Sequence, residues 1–204
     1  MVLTVVQQIN EISEWLGPGS LNFFGRPYAG KDERAKQLAS YLDAPVLGGG
    51  EILRQSQIPS HIKEMMRRGE LIPSDNYKEI VLPFLGQAML AGKPLLLSSV
   101  GRMAGEEEGV LAATEAAGHP ILAVPYLQTT DQETIRRHQL ASRGRDDDTP
   151  EALAIRLDVY KEKTIPVLKA YEDKGLLVVV DAMPEEEIVF SSLIRALHER
   201  ARAA

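Results

Sequence analysis

Gly25-Arg26-Pro27-Tyr28-Ala29-Gly30-Lys31 has the spacing G-x-x-x-x-G-K. A short apolar run, Leu21-Asn22-Phe23-Phe24, leads into it, and a helical pattern from Arg34 to Leu42 leads out. Strand, glycine-bounded loop and helix in that order form the setting of a phosphate-binding P-loop. Glycines at the ends of the loop let backbone N–H groups turn inward around phosphate oxygens, and the helix behind adds the positive end of its dipole. Lys31 is placed to reach the outer phosphates as a compact cation. A surface turn containing Gly-Lys would share the heptapeptide but not its flanks. The residue after such a lysine is usually Ser or Thr, whose hydroxyl touches Mg²⁺. Here Asp32 and Glu33 follow. Two carboxylates suit a helix N-terminus, yet they repel phosphate unless a cation stands between.

Outward from this loop, the chain alternates apolar runs with helical periodicity. Val5, Val6, Ile9, Ile12, Trp15 and Leu16 mark one face of a helix that Gly17-Pro18-Gly19 stops. Leu21–Phe24, Pro45–Leu47, Pro94–Ser98, Ile121–Leu127 and Leu176–Val180 read as buried strands. Helices are expected over Arg34–Asp43, from Glu51, over Ser60–Gly69, from a Ser74 or Asp75 cap to about Ala91, over Glu106–Ala117 and over Asp131–Leu140. A further helix runs from a Thr149 cap to Tyr171 with a pause at Pro166, and the last spans Glu185–Arg202. Strands that alternate with helices in this way imply an α/β fold, a P-loop three-layer sandwich on a five-stranded parallel sheet. Ligands in such sheets sit at the C-terminal strand ends. The P-loop, Gly48–Gly50, Ser98–Arg102 and Asp181–Met183 should therefore share one rim.

Composition narrows the possibilities. The 204 residues are 44% hydrophobic, enough for a sizeable core, and the net charge is −6. That balance argues against a general nucleic-acid surface. Without cysteine there is neither a disulfide nor a thiolate metal site. No apolar run reaches the length of a membrane span. Met1–Gly17 carries acidic residues and lacks a basic start, so it does not read as a signal peptide. A cytoplasmic protein is expected. The four histidines, His61, His119, His138 and His198, lack metal-ligand spacing and read as surface residues.

The order of these pieces resembles the adenylate kinase family of nucleoside monophosphate kinases. Phe24–Lys31 is similar to its GxPGxGK loop, Gly49–Arg54 to its TGDLLR segment, and Arg68–Pro73 to its RGELVP turn. Ser98-Ser99-Val100-Gly101-Arg102 stands where the family has DGFPR. Arg143–Asp148, with Arg156–Tyr160 and Thr164–Pro166, resembles its R-x-DD…RL-x-x-Y…T-x-P run. The match spans about Leu21 to the C-terminus. Residues 1–20 lie outside it as an N-terminal helical extension, and 21–204 form one kinase domain. The resemblance implies two inserts, one for the monophosphate at about 50–76 and a short lid at about 138–148.

What the resemblance implies for the site follows residue by residue. ATP is a co-substrate with Mg²⁺, held by Gly25, Arg26, Pro27, Tyr28, Ala29, Gly30, Lys31, Asp32 and Glu33, with Met183 beside it. The acceptor, AMP by default, meets Gly49, Arg54, Ile72, Ser99, Arg102 and Glu106. Lys31, Arg102, Arg143, Arg145 and Arg156 surround the transferring group, because guanidinium forks match phosphate oxygens. Asp147 and Asp148 tether the lid arginines, and of Arg136 and Arg137 one is free to face solvent. The family aspartate at the third strand is replaced by Ser98. A carboxylate lost there and regained at Asp32 would keep Mg²⁺ near the β- and γ-phosphates. Glu106 stands where the family reads adenine with glutamine; it either reads a base that presents donors or serves the helix start in Glu106-Glu107-Glu108. The partners implied are ATP and a nucleoside monophosphate, with no nucleic acid and no membrane. A monomer is expected, with a dimer through the N-terminal helix as the alternative. Two further readings compete: a nucleotide-binding sensor with little catalysis, and a P-loop kinase for another monophosphate or a small metabolite.

Overall fold

A computed structural model describes residues 3–141 and 148–204 of the chain. Helix α1 (Val5–Leu16) opens with a capping box, in which the Thr4 side chain accepts from Gln7 N and the Gln7 side chain accepts from Thr4 N. Strand β1 (Ser20–Gly25) ends in the phosphate loop, and α2 (Lys31–Leu42) leaves it. Then come β2 (Val46–Gly48), α3 (Gly49–Gln55), α4 (Ser60–Arg67), α5 (Ser74–Leu85), β3 (Leu95–Ser98), α6 (Glu106–Ala116) and β4 (Ile121–Gln128). Helix α7 (Asp131–Leu140) precedes residues outside the description. Helix α8 (Pro150–Val159), a π-helical turn (Tyr160–Thr164), α9 (Ile165–Asp173), β5 (Leu177–Asp181) and α10 (Glu186–Arg202) complete the chain.

The strands form one parallel sheet in the order β2-β3-β1-β4-β5. Central β1 and β3 are buried along their whole length, as apolar runs covered on both faces must be. Alternate side chains feed two cores. Leu21, Phe23 and Leu96 pack with α1, α2 and α10, while Phe24, Leu95 and Leu97 pack against α5, α6 and α9. The predicted N-terminal extension is part of the first core, since Ile9, Ile12 and Leu16 are buried within it. Register does the positioning. Phe23 on β1 and Gly48 on β2 both pair with Ser98 on β3, so the phosphate loop, the β2–α3 junction and the Ser98–Arg102 loop leave the sheet at one level.

Three expectations are corrected. Helix α5 stops at Leu85 rather than near Ala91, because Pro83 and Gly86 end it before a 3₁₀ turn at Ala88–Leu90. Neither Ser74 nor Asp75 caps its start; Pro73 occupies that place, and the Ser74 hydroxyl goes to Glu106 instead. The helix expected from Thr149 to Tyr171 does pause as expected near Pro166, at the π-helical turn just ahead of it. His119 and His198 are buried rather than on the surface: a ring nitrogen of His119 meets the Pro18 carbonyl at 2.8 Å, and one of His198 meets Glu11 at 2.6 Å.

Candidate active site

The phosphate loop is held open by two backbone requirements. Gly30, the residue before α2, sits at φ +83°, a region open to glycine. A Cβ on Gly25 would come within 2.9 Å of Ala29 Cβ and of the Leu127 carbonyl oxygen. Beyond the loop, Lys31 Nζ lies 3.4 Å from Asp32 Oδ2, and the other Asp32 oxygen accepts the Ser98 hydroxyl from the end of β3. A carboxylate therefore stands at the junction of phosphate loop and third strand, supplied from the helix side.

The Ser98–Arg102 loop is fastened from below. Buried Asn22 on β1 donates through Nδ2 to the Val100 carbonyl at 2.8 Å and accepts from Val100 N at 3.2 Å. From the other side Glu106 accepts from the backbone N–H groups of Arg102 and Met103 at 2.9 and 3.0 Å, and from Ser74 Oγ at 2.7 Å. Tyr77 Oη accepts from Gly101 N at 2.9 Å. These bonds present the Arg102 guanidinium to the cavity. Burial, the largest influence, pulls its pKa below the ordinary value, and Arg156 pushes the same way. Among the described residues no carboxylate forms an ion pair with it. A cation so placed is stabilised by an incoming anion.

A cavity of about 540 Å³ opens over this rim. Lys31 and Asp32 line it from α2, Arg54 from α3, Ile72 from the turn before α5, Ser99, Arg102 and Glu106 from the β3–α6 segment, and Arg156 from α8. The turn bearing Ile72 is seated against α8. A Cβ at Gly69, itself at φ +83°, would lie 2.6 Å from the Ala152 carbonyl oxygen and 3.0 Å from Arg156 Cγ. A second cavity of about 470 Å³ lies across the loop, lined by Ala29, Gly30, Glu33, Arg136, Arg137 and Met183 among others. Two adjoining cavities share the lysine loop, and cations from three further elements face the first of them. That geometry suits two phosphorylated ligands meeting end to end.

Comparison with known proteins shows the family. A family model described as an AAA domain matches residues 24–154. The adenylate kinase of Phenylobacterium zucineum is 32% identical over 185 residues, covering 87% of this chain and 97% of that protein. The adenylate kinase of Xanthomonas oryzae is 30% identical over 184 residues, covering 87% and 98%. This chain belongs to the adenylate kinase family. The Thermus thermophilus adenylate kinase, 29% identical over 182 residues, covers 86% of the chain. A gluconokinase from Sinorhizobium meliloti superposes with a TM-score of 0.64 at 16% identity, over 91% of this chain and 95% of its own, which establishes the shared kinase fold.

Within this adenylate kinase family member, Gly25, Pro27, Tyr28, Lys31, Asp32, Glu33, Arg54, Ile72, Ser99, Arg102, Glu106 and Arg156 border the first cavity. Gly49 lies just behind its wall, where a Cβ would approach Tyr77 Oη to 2.6 Å. Ala29, Gly30 and Met183 border the second. Arg26 turns away from both. Its Nε donates to Asp131 at 2.8 Å, Nη1 donates to the Thr129 carbonyl, and the guanidinium covers the Tyr160 ring at 4.8 Å. Lys161 and Arg26 together hold the Asp131 carboxyl below the usual carboxylate range. Arg143, Arg145, Asp146 and Asp147 lie outside the described residues.

Sequence reasoning missed Tyr77, whose hydroxyl closes the space that Gly49 leaves open. It also left Arg136 and Arg137 undivided. Arg136 faces solvent and pairs with Glu133, whereas Arg137 donates to the Ala182 carbonyl at 2.7 Å and the Tyr28 carbonyl at 3.3 Å. Their adjacency on a helix does signal that they point in different directions; which one faces inward depends on where α7 packs.

Proposed function

We propose that this chain is a nucleoside monophosphate kinase that transfers the γ-phosphoryl group of ATP to AMP, giving two molecules of ADP. The observation that carries the reading is the convergence of Lys31, Arg54, Arg102 and Arg156, from four separate elements, on one cavity over the phosphate loop. ATP would lie with its phosphates along Gly25–Lys31 and its base toward Met183. The monophosphate would lie toward Arg54 and Arg102, enclosed by the insert at about 50–76 and the short lid at about 138–148. Arg143 and Arg145 join the site in this proposal by resemblance. Gly49, Ile72, Ser99 and Glu106 shape the acceptor pocket.

The reaction makes a bond from an acceptor phosphate oxygen to the γ-phosphorus and breaks the bond from that phosphorus to the β,γ-bridging oxygen. The acceptor is already an anion, so no strong general base is needed; the work is positioning and charge neutralisation. Lys31 and Arg156 offset charge on the group in flight, and Arg102 anchors the acceptor. The donor set fits Mg²⁺ held largely through water and substrate phosphate. Asp32 offers a hard carboxylate whose side chain is 41% exposed at the cavity, and among the described residues no three-ligand cluster exists to hold a metal alone. When bound, Mg²⁺ supplies neutralisation of the β- and γ-phosphate charge. Asp32, fixed by Ser98, is the residue that would orient it.

No helix among the described residues is long and apolar enough to cross a membrane. The test is a coupled assay for ADP formation with ATP and Mg²⁺, offering AMP, GMP, CMP and UMP separately. Turnover with AMP above the others is expected. Turnover with another monophosphate would reassign the acceptor, and ATP binding without turnover on any of them would overturn the reading in favour of a nucleotide sensor or a kinase of another metabolite.

A further inference from the structure

Tyr28 stands in the middle of the phosphate loop at φ +60°, a backbone region that bulky residues rarely occupy. Its side chain leaves the loop and lands on the opposite wall. The hydroxyl donates to Asp148 Oδ1 at 2.8 Å. The ring meets His138 edge-on, with centroids 5.2 Å apart, and packs with Leu153 and Leu157 of α8 in a small apolar cluster. The same Asp148 oxygen lies 3.4 Å from Arg156 Nη1, and both side chains are largely enclosed. A continuous path thus runs from the phosphate loop through Tyr28 and Asp148 to an arginine that faces the cavity.

The hydroxyl is the informative atom. Phenylalanine would fill the space beside Leu153, Leu157 and His138 equally well. Unlike that ring, the phenol donates to Asp148, and the bond directs the carboxylate toward Arg156. Phosphoryl transfer tolerates little slack between the cations that flank the moving group, and Lys31 and Arg156 reside on different elements. We propose that Tyr28 is a positioning residue: through Asp148 it fixes Arg156 relative to the phosphate loop, so that Arg156 and Lys31 address the same terminal phosphate. This rests on reading the cavity as a phosphoryl-transfer site.

The test uses the full chain with Tyr28→Phe, Arg156→Lys and the double variant. Turnover is followed with ATP, Mg²⁺ and AMP, and ATP and ADP affinities are measured by calorimetry without acceptor. Tyr28→Phe is expected to keep its melting temperature within a few degrees, while kcat falls about tenfold and KM for ATP rises about fivefold. It should also narrow the preference for ATP over ADP about fivefold, the scale of one hydrogen bond acting on the terminal phosphate. Arg156→Lys should narrow it similarly, and the double variant no further, since both changes break one path. An unchanged ATP-to-ADP ratio in Tyr28→Phe, or effects that add in the double variant, would overturn the proposal, as would a kcat loss matched by a lost melting temperature. Wild-type protein that turns over no monophosphate would sink the kinase reading separately, because the binding ratio still decides the role of Tyr28.

Discussion

Ser98 donates its hydroxyl to Asp32 from the end of β3, so a strand residue and a helix residue bring their side-chain tips to one point above the phosphate loop. Either position can present a carboxylate there. Asp32→Gly is expected to lower kcat about 100-fold and weaken its dependence on Mg²⁺. Adding Ser98→Asp should restore most of the loss, and steady-state kinetics across a Mg²⁺ titration would show it. Glu106 makes a different case. Its oxygens already accept from two backbone N–H groups and from Ser74, and a glutamine would turn an NH₂ toward one of these donors. Glu106→Gln should cost about 1–3 kcal/mol of stability, the penalty for an unsatisfied buried group. A loop-fastening role predicts that KM rises for every monophosphate in parallel; a change in the order of preferred bases would assign Glu106 to base reading instead.

At the scale of elements, α7 braces the site. Arg137 ties it to the phosphate loop and to the segment after β5, and Glu133 holds both Arg136 and Arg137. Hydrogen bonds from Arg136 and Arg137 pull the Glu133 pKa down to about 2. A carboxylate whose folded pKa lies below its unfolded value near 4.3 stabilises the fold above that value and loses the contribution as pH falls through about 2. Glu133→Gln should therefore melt below wild type at pH 7, with the gap closing between about pH 4 and pH 2 in thermal scans. Strand β1 supports the site from beneath through Asn22, which is fully buried. Asn22→Ala leaves the Val100 N–H and carbonyl without their partner and should cost about 2 kcal/mol or more by denaturant unfolding, with a raised KM for the acceptor as the Arg102 loop loosens.

For the whole molecule, the metal is expected to belong to the reaction rather than to the fold. Chelation by EDTA should abolish turnover yet leave the melting temperature of nucleotide-free protein unchanged, because among the described residues no cluster could hold a metal by itself. The architecture itself was legible in the linear sequence. Leu21–Phe24, Leu95–Leu97 and Leu177–Val180 are apolar runs too short for helices, and the glycine-bounded lysine loop between strand and helix announces phosphate binding; these are local signals, carried by neighbours in the chain. Arg54, Arg102 and Arg156, which border the first cavity, could be singled out because each sits inside a recognisable segment. The details that set the chemistry depend on distant partners. Asp32 meets Ser98 across 66 positions, Arg26 meets Asp131 across 105, and Tyr28 meets Asp148 across 120. Burial of His119 and His198 likewise follows from packing against Pro18 and Glu11 far away in the chain. Sequence by itself determined the sheet, the phosphate loop and the rim on which the cations lie. Tertiary structure decided which side chains turn into that rim and which turn away, because a side chain's direction is settled by the donors, acceptors and free volume that other elements bring to it.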